Sequence, residues 1–375
     1  MSSRRPSGLG PSQLFPHCPN PKCTYHQPDP GWRYRRAGQY LRPSDGARYR
    51  RFQCARCRRT FTRRTFSPDY WLRYRGLYRL IAEHSVSAAG LRQIGRLFEI
   101  AHSTVGRHLA RAGRHCLLFH REQLEGVRLG EALVIDGFET FEYSQFFPFH
   151  LNLAVGGQSW FIYHFTDSPL RRKGRMTEAQ KAQRALLEEQ LGRPDPKAIQ
   201  TAIRQLLEPL PIGPDPLLLH SDDHPAYPRA LRELRTIRPG WRITHQITPS
   251  TEPRTSLNPL FPANLADLLL RHCGANHRRE TIAYSKRRQG AIERAAIFTV
   301  WRNWVKWRRE KKPGETAAMA AGVCPRPLRW LEVFSRRHFP RKERLVGPWS
   351  DYYWRKIKTA ALGEQQTVHA LKYAF

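Results

Sequence analysis

The chain has 375 residues, of which 40% are hydrophobic, so it contains enough apolar material to build a folded core. Lysine and arginine number 64 against 31 acidic residues, which gives a formal net charge of +33. A folded protein of this charge needs an acidic partner, and nucleic acid is the most common one, although GC-rich codon usage can inflate arginine. The sequence shows neither a run of about 18 apolar residues nor a signal-peptide pattern, which argues against a membrane span and against export.

Four of the seven cysteines form two close pairs, Cys18 with Cys23 and Cys54 with Cys57. Without an export signal, such pairs favour metal binding over disulfides. Two pairs of thiolates make a closed tetrahedral site that suits structural Zn2+ and leaves no position for a substrate. Aromatic residues alternate with arginines between the pairs, so residues 1–66 are predicted to form a β-rich zinc ribbon whose folding depends on the metal. Four unrelated free cysteines are the alternative.

A helix-turn-helix is predicted over residues 67–128. One helix is expected at 69–84, a second has its apolar face between Ala89 and Phe98, and Ser103 is a candidate cap for a third. This hydrophobic spacing around a short turn is typical of a helix-turn-helix, whose second helix enters the major groove. An ordinary helical hairpin is the alternative. The candidate DNA contacts on the last helix are His102, Ser103, Thr104, Arg107 and His108.

From residue 131 the pattern becomes strand-like. One buried strand is predicted to end at Asp136, a hairpin follows, and a polar helical stretch covers 175–209. A second buried strand ends at Asp222, and after a further strand a helix carries Asp267. Carboxylates are the hard ligands that hold divalent ions for phosphodiester cleavage. Because an aspartate at the end of a strand is also a common turn former, the ordered set of three is more informative than any one of them.

The order strand, hairpin, helices, strand, helix, strand, helix over residues 129–312 is that of the α/β ribonuclease H-like fold. With the two preceding modules, the sequence resembles bacterial insertion-sequence transposases of the DDE type. The resemblance spans roughly residues 18–310 and rests on these stretches: CARCRRTFTRRTFS, VIDGFETF, SDDHPAY, NLADLLLRH and NHRRETIAYSKR. SDDHPAY resembles the family motif Asp-Gly-x-x-x-Tyr with Asp223 in place of glycine, which favours Asp222 as the metal ligand.

The third acid departs from the family pattern. Family members commonly carry Glu, then Asn three residues later, then a basic residue four further on, whereas this frame reads Asn264, Asp267, Arg271. Asp267 is preferred because it lies on the first helix after the fifth predicted strand. Glu293 on the next helix is the alternative third acid, and Glu280 is a further option. The departure also leaves open an enzyme that has lost its activity.

The basic stretch 276–312 is predicted to be helical and to contact DNA phosphates. Trp301, Trp304 and Trp307 recur every three residues, with basic side chains between them. A purely structural helix is the alternative. Residues 313–375 are predicted to form a helical extension folded against the core. The candidate DNA contacts in the basic stretch are Arg302, Lys306 and Arg308.

The resemblance implies a DNA transposase that binds the ends of its own insertion sequence and catalyses strand cleavage and transfer. It implies structural Zn2+, and catalytic Mg2+ or Mn2+ held by the three aspartates. The expected partners are double-stranded DNA, as terminal inverted repeats and as target, and further copies of the chain assembled on DNA, with no membrane. A cytoplasmic, nucleoid-associated location follows. The alternatives are a DNA-binding regulator without activity, a structure-specific nuclease and an RNA-binding protein.

Overall fold

A computed structural model describes residues 15–43, 45–213 and 215–363. Among these, residues 15–75 and 334–344 form one compact unit, and residues 76–333 and 345–363 form a second. The strands are β1 (Tyr34–Leu41), β2 (Arg48–Cys54), β3 (Thr60–Phe61), β4 (Leu133–Phe141), β5 (Pro148–Gly156), β6 (Ile162–Pro169), β7 (Leu217–Ser221), β8 (Ile243–Ile247), β9 (Trp307–Arg309) and β10 (Lys312–Thr316). The helices are α1 (Leu77–Ser85), α2 (Leu91–Leu97), α3 (His102–Gln123), α4 (Glu178–Leu191), α5 (Ala198–Leu207), α6 (Ala226–Ile237), α7 (Phe261–Cys273), α8 (Arg288–Val300), α9 (Ala317–Ala320), α10 (Trp330–Val333), α11 (Pro340–Glu343) and α12 (Pro348–Tyr353).

The first unit is a three-stranded antiparallel sheet around an aromatic core. Strand β2 pairs with β1 on one side and with β3 on the other. Phe15 packs edge-on against Tyr34 and Phe61, with ring centroids 5.2 and 5.1 Å away. Phe339, from the C-terminal segment of this unit, packs against Phe66 at 5.8 Å. The strand-like pattern between the cysteine pairs therefore corresponds to β1 and β2, and the core is completed by a segment outside residues 1–66.

Helices α1 and α2 both pack on α3 in the second unit. Ile81, Ile94 and Leu109 are buried in these three helices. Gly95 of α2 lies so close to the following turn that a Cβ atom there would be 2.8 Å from the carbonyl oxygen of Ile100. This contact has no room for a side chain, so it fixes how α3 leaves the turn. The predicted pattern thus forms two helices packed across a short turn, in the same compact unit as the larger sheet.

The helix predicted over 69–84 is wrong in its first half, because α1 begins only at Leu77. Before it the chain turns, with the backbone N–H of Leu72 donating to the carbonyl of Asp69 at 2.9 Å. Trp71 has a φ of 68° and is 57% exposed, so it lies outside the helix that was expected to include it.

The larger sheet of the second unit has the strand order β6-β5-β4-β7-β8. Strands β4, β5 and β6 form an antiparallel meander, and β4, β7 and β8 run parallel. The predicted hairpin and both later strands are confirmed. Strand β4, however, does not end at Asp136 but continues to Phe141, because β5 pairs with all nine of its residues. Strand β7 pairs only with the start of β4, at Leu133 and Val134, and the next positions of this register bring Asp136 level with Asp222.

Helices cover both faces of this sheet. Asp136 and Phe138 share one face, since side chains alternate along a strand. There the guanidinium of Arg271 from α7 lies 4.4 Å from the Phe138 ring centroid. Thr166 of β6 lies on the opposite face by strand register, and its hydroxyl donates to the carbonyl of Ala202 in α5 at 3.0 Å. Asp136 therefore faces the layer that contains α7.

The outer edge of β6 is closed by side chains from distant segments. Trp349 Nε1 donates to the carbonyl of Phe165 at 2.8 Å, and the N–H of Asp167 donates to the Tyr352 hydroxyl at 2.8 Å. The amide of Asn303 bonds both the N–H and the carbonyl of one β6 residue, each at 2.9 Å. Because unpaired strand edges invite association with other chains, the C-terminal segment has a clear structural role here.

Helix α8 ends at Val300, so the helix predicted for the basic stretch forms only in part. Residues Trp301–Val305 make a π-helical turn, and β9 and β10 follow as a hairpin. The inserted turn rotates the side chains, so Trp304 is fully buried while Trp307 on β9 is 42% exposed. No helix within the described ranges combines the length and the apolar character needed to cross a membrane.

Candidate metal centres and nucleic-acid surface

The four predicted zinc cysteines lie together in the first unit. The Sγ atoms of Cys18 and Cys57 are 3.6 Å apart, those of Cys23 and Cys54 are 3.8 Å apart, and all four lie within 4.8 Å of one another. A Zn–S bond of about 2.3 Å in a tetrahedral site places thiolates about 3.8 Å apart. The cluster is therefore a group that could bind a metal ion such as zinc.

Burial and hydrogen bonds shift the pKa values of three of the four thiols. Burial raises the pKa of Cys18 and of Cys23. Burial also acts to raise the pKa of Cys57, but hydrogen bonds from Asn20 and from the backbone of Arg59 outweigh it, and the pKa falls to about 7. The N–H of Asn20 also lies 3.4 Å from the Cys18 sulfur. Sulfur atoms buried in this way would be satisfied by a cation.

Two buried histidines brace the cysteine cluster from outside. Nδ1 of His17 and Nδ1 of His26 lie 2.9 and 2.8 Å from the carbonyl oxygen of Cys18. Burial lowers the pKa of His17 to about 3, so its ring is neutral at physiological pH. These rings hold the backbone of the first cysteine pair, and the metal-ligating group is made by the thiols alone.

The three predicted catalytic aspartates come from three elements that meet beside β4. Asp136 lies within β4, Asp222 directly follows β7, and Asp267 lies on α7; each is partly exposed. Burial raises the pKa of Asp136; the N–H of Gly137, 2.7 Å from its carboxylate, opposes this, and the charge of Asp222 adds to the rise. The structure thus brings Asp136 and Asp222 into electrostatic contact.

Asp267 is the most strongly perturbed of the three carboxyl groups. Burial raises its pKa well above the usual range, the charge of Asp136 adds to this, and Arg271 and Arg254 oppose it. Its Oδ1 is buried and has no hydrogen-bond partner among the residues that the structure describes. Within the described part of the chain, the three carboxylates do not form a cluster in which all ligand atoms lie within 4.8 Å of one another. An unpartnered oxygen near other carboxylates, on a side chain that is itself partly exposed, fits a divalent cation.

The second acid is held by the turn that starts α6. Asp222 accepts a hydrogen bond from the N–H of His224 at 3.0 Å, which fixes one of its oxygens. Asp223 is exposed and accepts from the Ser250 hydroxyl at 3.4 Å. The two adjacent acids therefore have different surroundings, and the charge that acts on Asp136 is that of Asp222.

The alternative third acid, Glu293, lies elsewhere in the second unit. It is 3% exposed on α8, where its carboxylate forms an ion pair with Arg355 at 2.9 Å and accepts from Gln289 at 3.2 Å. Its backbone carbonyl would lie 2.3 Å from a Cβ atom at Gly113, so α3 and α8 touch closely here. The structure places Glu293 in a helix contact and not among the aspartates.

Two residues that the sequence interpretation did not select belong to the aspartate group. Tyr227 on α6 is 3% exposed; burial raises its pKa well above the usual range, and the charges of Asp136, Asp222 and Asp267 add to this. Tyr227 is visible in the sequence as the tyrosine of SDDHPAY. Arg254 acts on Asp136 and Asp267 from the loop between β8 and α7, where no local pattern marks it.

The predicted DNA contacts on α3 divide into accessible and buried residues. His102, Ser103 and Arg107 are exposed, and Thr104 is half-buried. Helix α3 begins at His102 with no side-chain cap, so the predicted cap by Ser103 is wrong. His108 is 2% exposed and packs near Tyr78, because it lies on the face of α3 that meets α1. As a DNA contact, His108 is therefore corrected to a packing residue.

The predicted contacts after α8 are also only partly accessible. Arg302 is 1% exposed, with its guanidinium 6.0 Å from the Trp160 ring centroid, because the π-helical turn points it inward. Burial and then the charge of Arg308 lower its pKa to about 10. Arg302 is therefore a buried packing residue, and its prediction as a DNA contact is wrong. Lys306 pairs with Glu310, and Arg308 pairs with Glu315, so these cations are at the surface but not without partners.

Comparison of the chain with models of known protein families gives no match, and comparison with curated proteins gives none either. A function is therefore supported by the chemistry of the cysteine cluster and of the aspartate group, and by the charge of the chain.

Proposed function

We propose that the chain is a DNA transposase of the DDE or DDD type, which binds the ends of its own insertion sequence and cleaves and joins DNA strands. The observation that carries the proposal is the group Asp136, Asp222 and Asp267, in which the charge of Asp222 acts on Asp136 and that of Asp136 acts on Asp267. This acidic group lies in a chain of net charge +33. Three carboxylates from separate elements, each on a partly exposed residue, are what a metal-dependent phosphodiester site requires.

The topology around the aspartates supports the same proposal. In the ribonuclease H-like fold the acids lie on the first strand, at the end of the fourth strand and on the helix after the fifth. In the larger sheet those places are β4, the end of β7 and α7, which carry Asp136, Asp222 and Asp267. Strands β4 and β5 continue past Asp136, whereas the neighbouring strand β7 ends just before Asp222. Asp136 and Asp222 therefore lie where β4 loses its parallel partner.

The three aspartates would hold Mg2+ or Mn2+. Such an ion, when bound, would lower the pKa of an attacking hydroxyl and stabilise the leaving oxygen. In the first reaction, water attacks a phosphorus atom at the element end, and the bond to the 3′ oxygen breaks to leave a 3′ hydroxyl. In the second, that hydroxyl attacks a target phosphodiester and displaces another 3′ oxygen. The chain itself orients Asp136 through Gly137 and Asp222 through His224, and Arg254 moderates the repulsion.

DNA binding would use the exposed start of α3 and the basic ribbon. His102, Ser103 and Arg107 are available to a groove, and Thr104 is available in part. The four cysteines would hold structural Zn2+ and keep β1 and β2 in place. Exposed guanidinium groups along these strands suit phosphates, which position a protein on DNA without reading its sequence. They belong to Arg35, Arg36, Arg48, Arg50 and Arg51.

The test is cleavage and joining of labelled DNA taken from the regions that flank the gene, with Mg2+ or Mn2+. We expect Asp136→Asn, Asp222→Asn and Asp267→Asn to keep DNA binding and to cut about 10²–10³-fold more slowly, the range for losing one stabilising group. Asp223→Asn is the matched control, because it removes the adjacent, exposed carboxylate, and it should cut normally.

The second candidate is a DNA-binding regulator that has lost the chemistry. It is favoured by Asn264, which stands where the resembling family commonly has its third glutamate. Wild-type protein that binds the flanking DNA and cuts with neither metal would establish the regulator and reject the transposase. Cleavage without joining would favour a structure-specific nuclease instead.

A further inference from the structure

A basic cavity of about 240 Å³ lies in the second unit, between the β4–β5 turn, the end of β6 and helix α4. Among the described residues, its wall contains two carboxylates, those of Glu142 and Glu188. The remaining wall includes apolar surface from Phe146, Leu187 and Leu191. Six cationic side chains line it: Arg171, Arg172, Arg184, Arg193, Arg288 and Lys358. The cavity wall thus combines an excess of positive charge with apolar surface.

The two carboxylates of the wall already have partners. Glu188 forms ion pairs with Arg171 at 2.7 Å, Arg193 at 2.9 Å and Arg184 at 3.6 Å. Glu142 lies 3.8 Å from the guanidinium of Arg288. Three arginines around one glutamate leave an excess of positive charge, which an anion in the cavity would offset.

Arg172 is a cation of the wall that is not paired with either acid among the described residues. Its guanidinium lies 4.7 Å from the Phe146 ring centroid and donates a long hydrogen bond to Gln180 at 3.4 Å. Its Nη1 is buried with no hydrogen-bond partner, and none of the ion pairs formed by the described residues includes it. An arginine that lines a cavity, is held on an aromatic ring and belongs to none of the ion pairs among the described residues is a preorganised anion contact.

We propose that this cavity binds one unpaired nucleotide of DNA, with its phosphate at Arg172 and its base against Phe146 and Leu187. Guanidinium groups pair with phosphate oxygens, and aromatic surfaces stack bases without reading their identity. The choice of DNA as the source of the nucleotide rests on the proposed function. A free mononucleotide has the same chemistry and is the competing source.

The cavity lies close enough to the aspartates along the β4–β5 hairpin for one DNA strand to contact both. Glu142 directly follows β4, the strand that carries Asp136. The six residues from Asp136 to Glu142 span at most about 20 Å of extended chain. A DNA strand rises about 3.4 Å per nucleotide, so the cavity lies within about six nucleotides of the aspartates.

The experiment measures binding of the full chain to labelled duplexes that are fully paired, carry one unpaired dT, or carry an abasic residue at the same place. We expect the unpaired dT to bind about tenfold more tightly than the paired duplex, the size of one stacked base. Arg172→Gln and Leu187→Trp should each abolish this preference, the first by removing the charge and the second by filling the base wall. Arg175→Gln removes an exposed charge of the same segment outside the cavity and should keep the preference.

The outcomes separate the cavity from the proposed function. No binding of any duplex would reject DNA as the partner of the chain. Tight binding of all duplexes without preference for the unpaired or abasic forms would overturn the cavity assignment and leave the transposase proposal intact. Equal binding of dT and abasic duplexes would overturn the base contact. Saturable binding of free dTMP that Arg172→Gln weakens, without any preference among the duplexes, would replace the DNA nucleotide by a free one.

Discussion

The cysteine cluster and the aspartate group are two candidate metal sites made of like-charged ligands, and they differ in how close together and how buried those ligands are. Four thiols lie within 4.8 Å of one another, with three of the four cysteines buried. The aspartates are partly exposed, lack that mutual closeness, and carry carboxyl groups whose pKa values are raised at Asp136 and Asp267. A closed shell of ligands favours a structural ion, whereas an open set leaves room for substrate. The cysteine cluster with its ion should therefore stabilise the first unit. The aspartate group should destabilise the second unit until an ion is bound.

Loss of metal from the cysteine cluster should have the largest effect. The core of the first unit is small and consists mainly of rings and the thiols themselves. Structural zinc contributes on the order of 10 kcal/mol to folding in small domains. We expect chelation, or Cys54→Ser, to release one zinc ion per chain and to unfold β1 and β2, so that trypsin cleaves the backbone after their exposed arginines while the second unit stays protected.

Cys324→Ser is the control for that experiment. Cys324 is half-buried outside the cluster, and its thiol donates to the carbonyl of Arg326 at 3.0 Å. This variant should keep its zinc and its protease resistance. A chelated wild-type chain whose ribbon resists trypsin would show that the cluster is not a structural metal site and would remove the contrast with the aspartates.

Substitution of Glu293 tests whether a buried carboxylate outside the aspartate group is structural and not catalytic. Glu293→Gln breaks the ion pair with Arg355 and should lower the free energy of unfolding by about 2 kcal/mol. This is less than the 3–5 kcal/mol of a fully buried pair, because Arg355 keeps some contact with solvent. Denaturant unfolding measures the change, and strand cleavage by the folded variant should be normal.

Glu280→Gln removes an exposed acid nearby in sequence and should change neither quantity. Should Glu293→Gln instead abolish cleavage without loss of stability, Glu293 would be the third catalytic acid and Asp267 would not.

The predictable features are those whose signal is local. Cys18, Cys23, Cys54 and Cys57 follow from spacing alone, and Asp222 follows from a short apolar run that ends in a turn. Tertiary contacts decided the others. Strand β4 runs past Asp136 because β5 offers a partner for every residue as far as Phe141.

The tryptophan stretch shows the same limit more sharply. A three-residue repeat is compatible with a helix, and the chain from Arg288 to Val300 is one. The helix then gives way to a π-helical turn in which Asn303 bonds to a residue of β6 that is 141 positions away in the sequence. No local pattern encodes that contact, so the burial of Arg302 was not predictable. Arg254 was missed for a related reason, since its loop carries no periodicity.

The smallest expected effect is a gain in stability at the aspartate group. Because burial and Asp136 raise the pKa of Asp267, the metal-free folded chain binds more protons than the unfolded chain above about pH 4, the ordinary aspartate value. The free energy of unfolding therefore falls as the pH rises from there through the raised pKa. Asp267→Asn removes this loss and should stabilise the metal-free protein at pH 7 by about 0.5–2 kcal/mol, a typical gain at a strained functional site. Mg2+ should stabilise the wild type at pH 7 and not the variant. Thermal unfolding between pH 4 and 8 measures both effects, with the exposed Asp223→Asn as control, and a variant less stable than wild type would mean that Asp267 is a satisfied structural carboxylate.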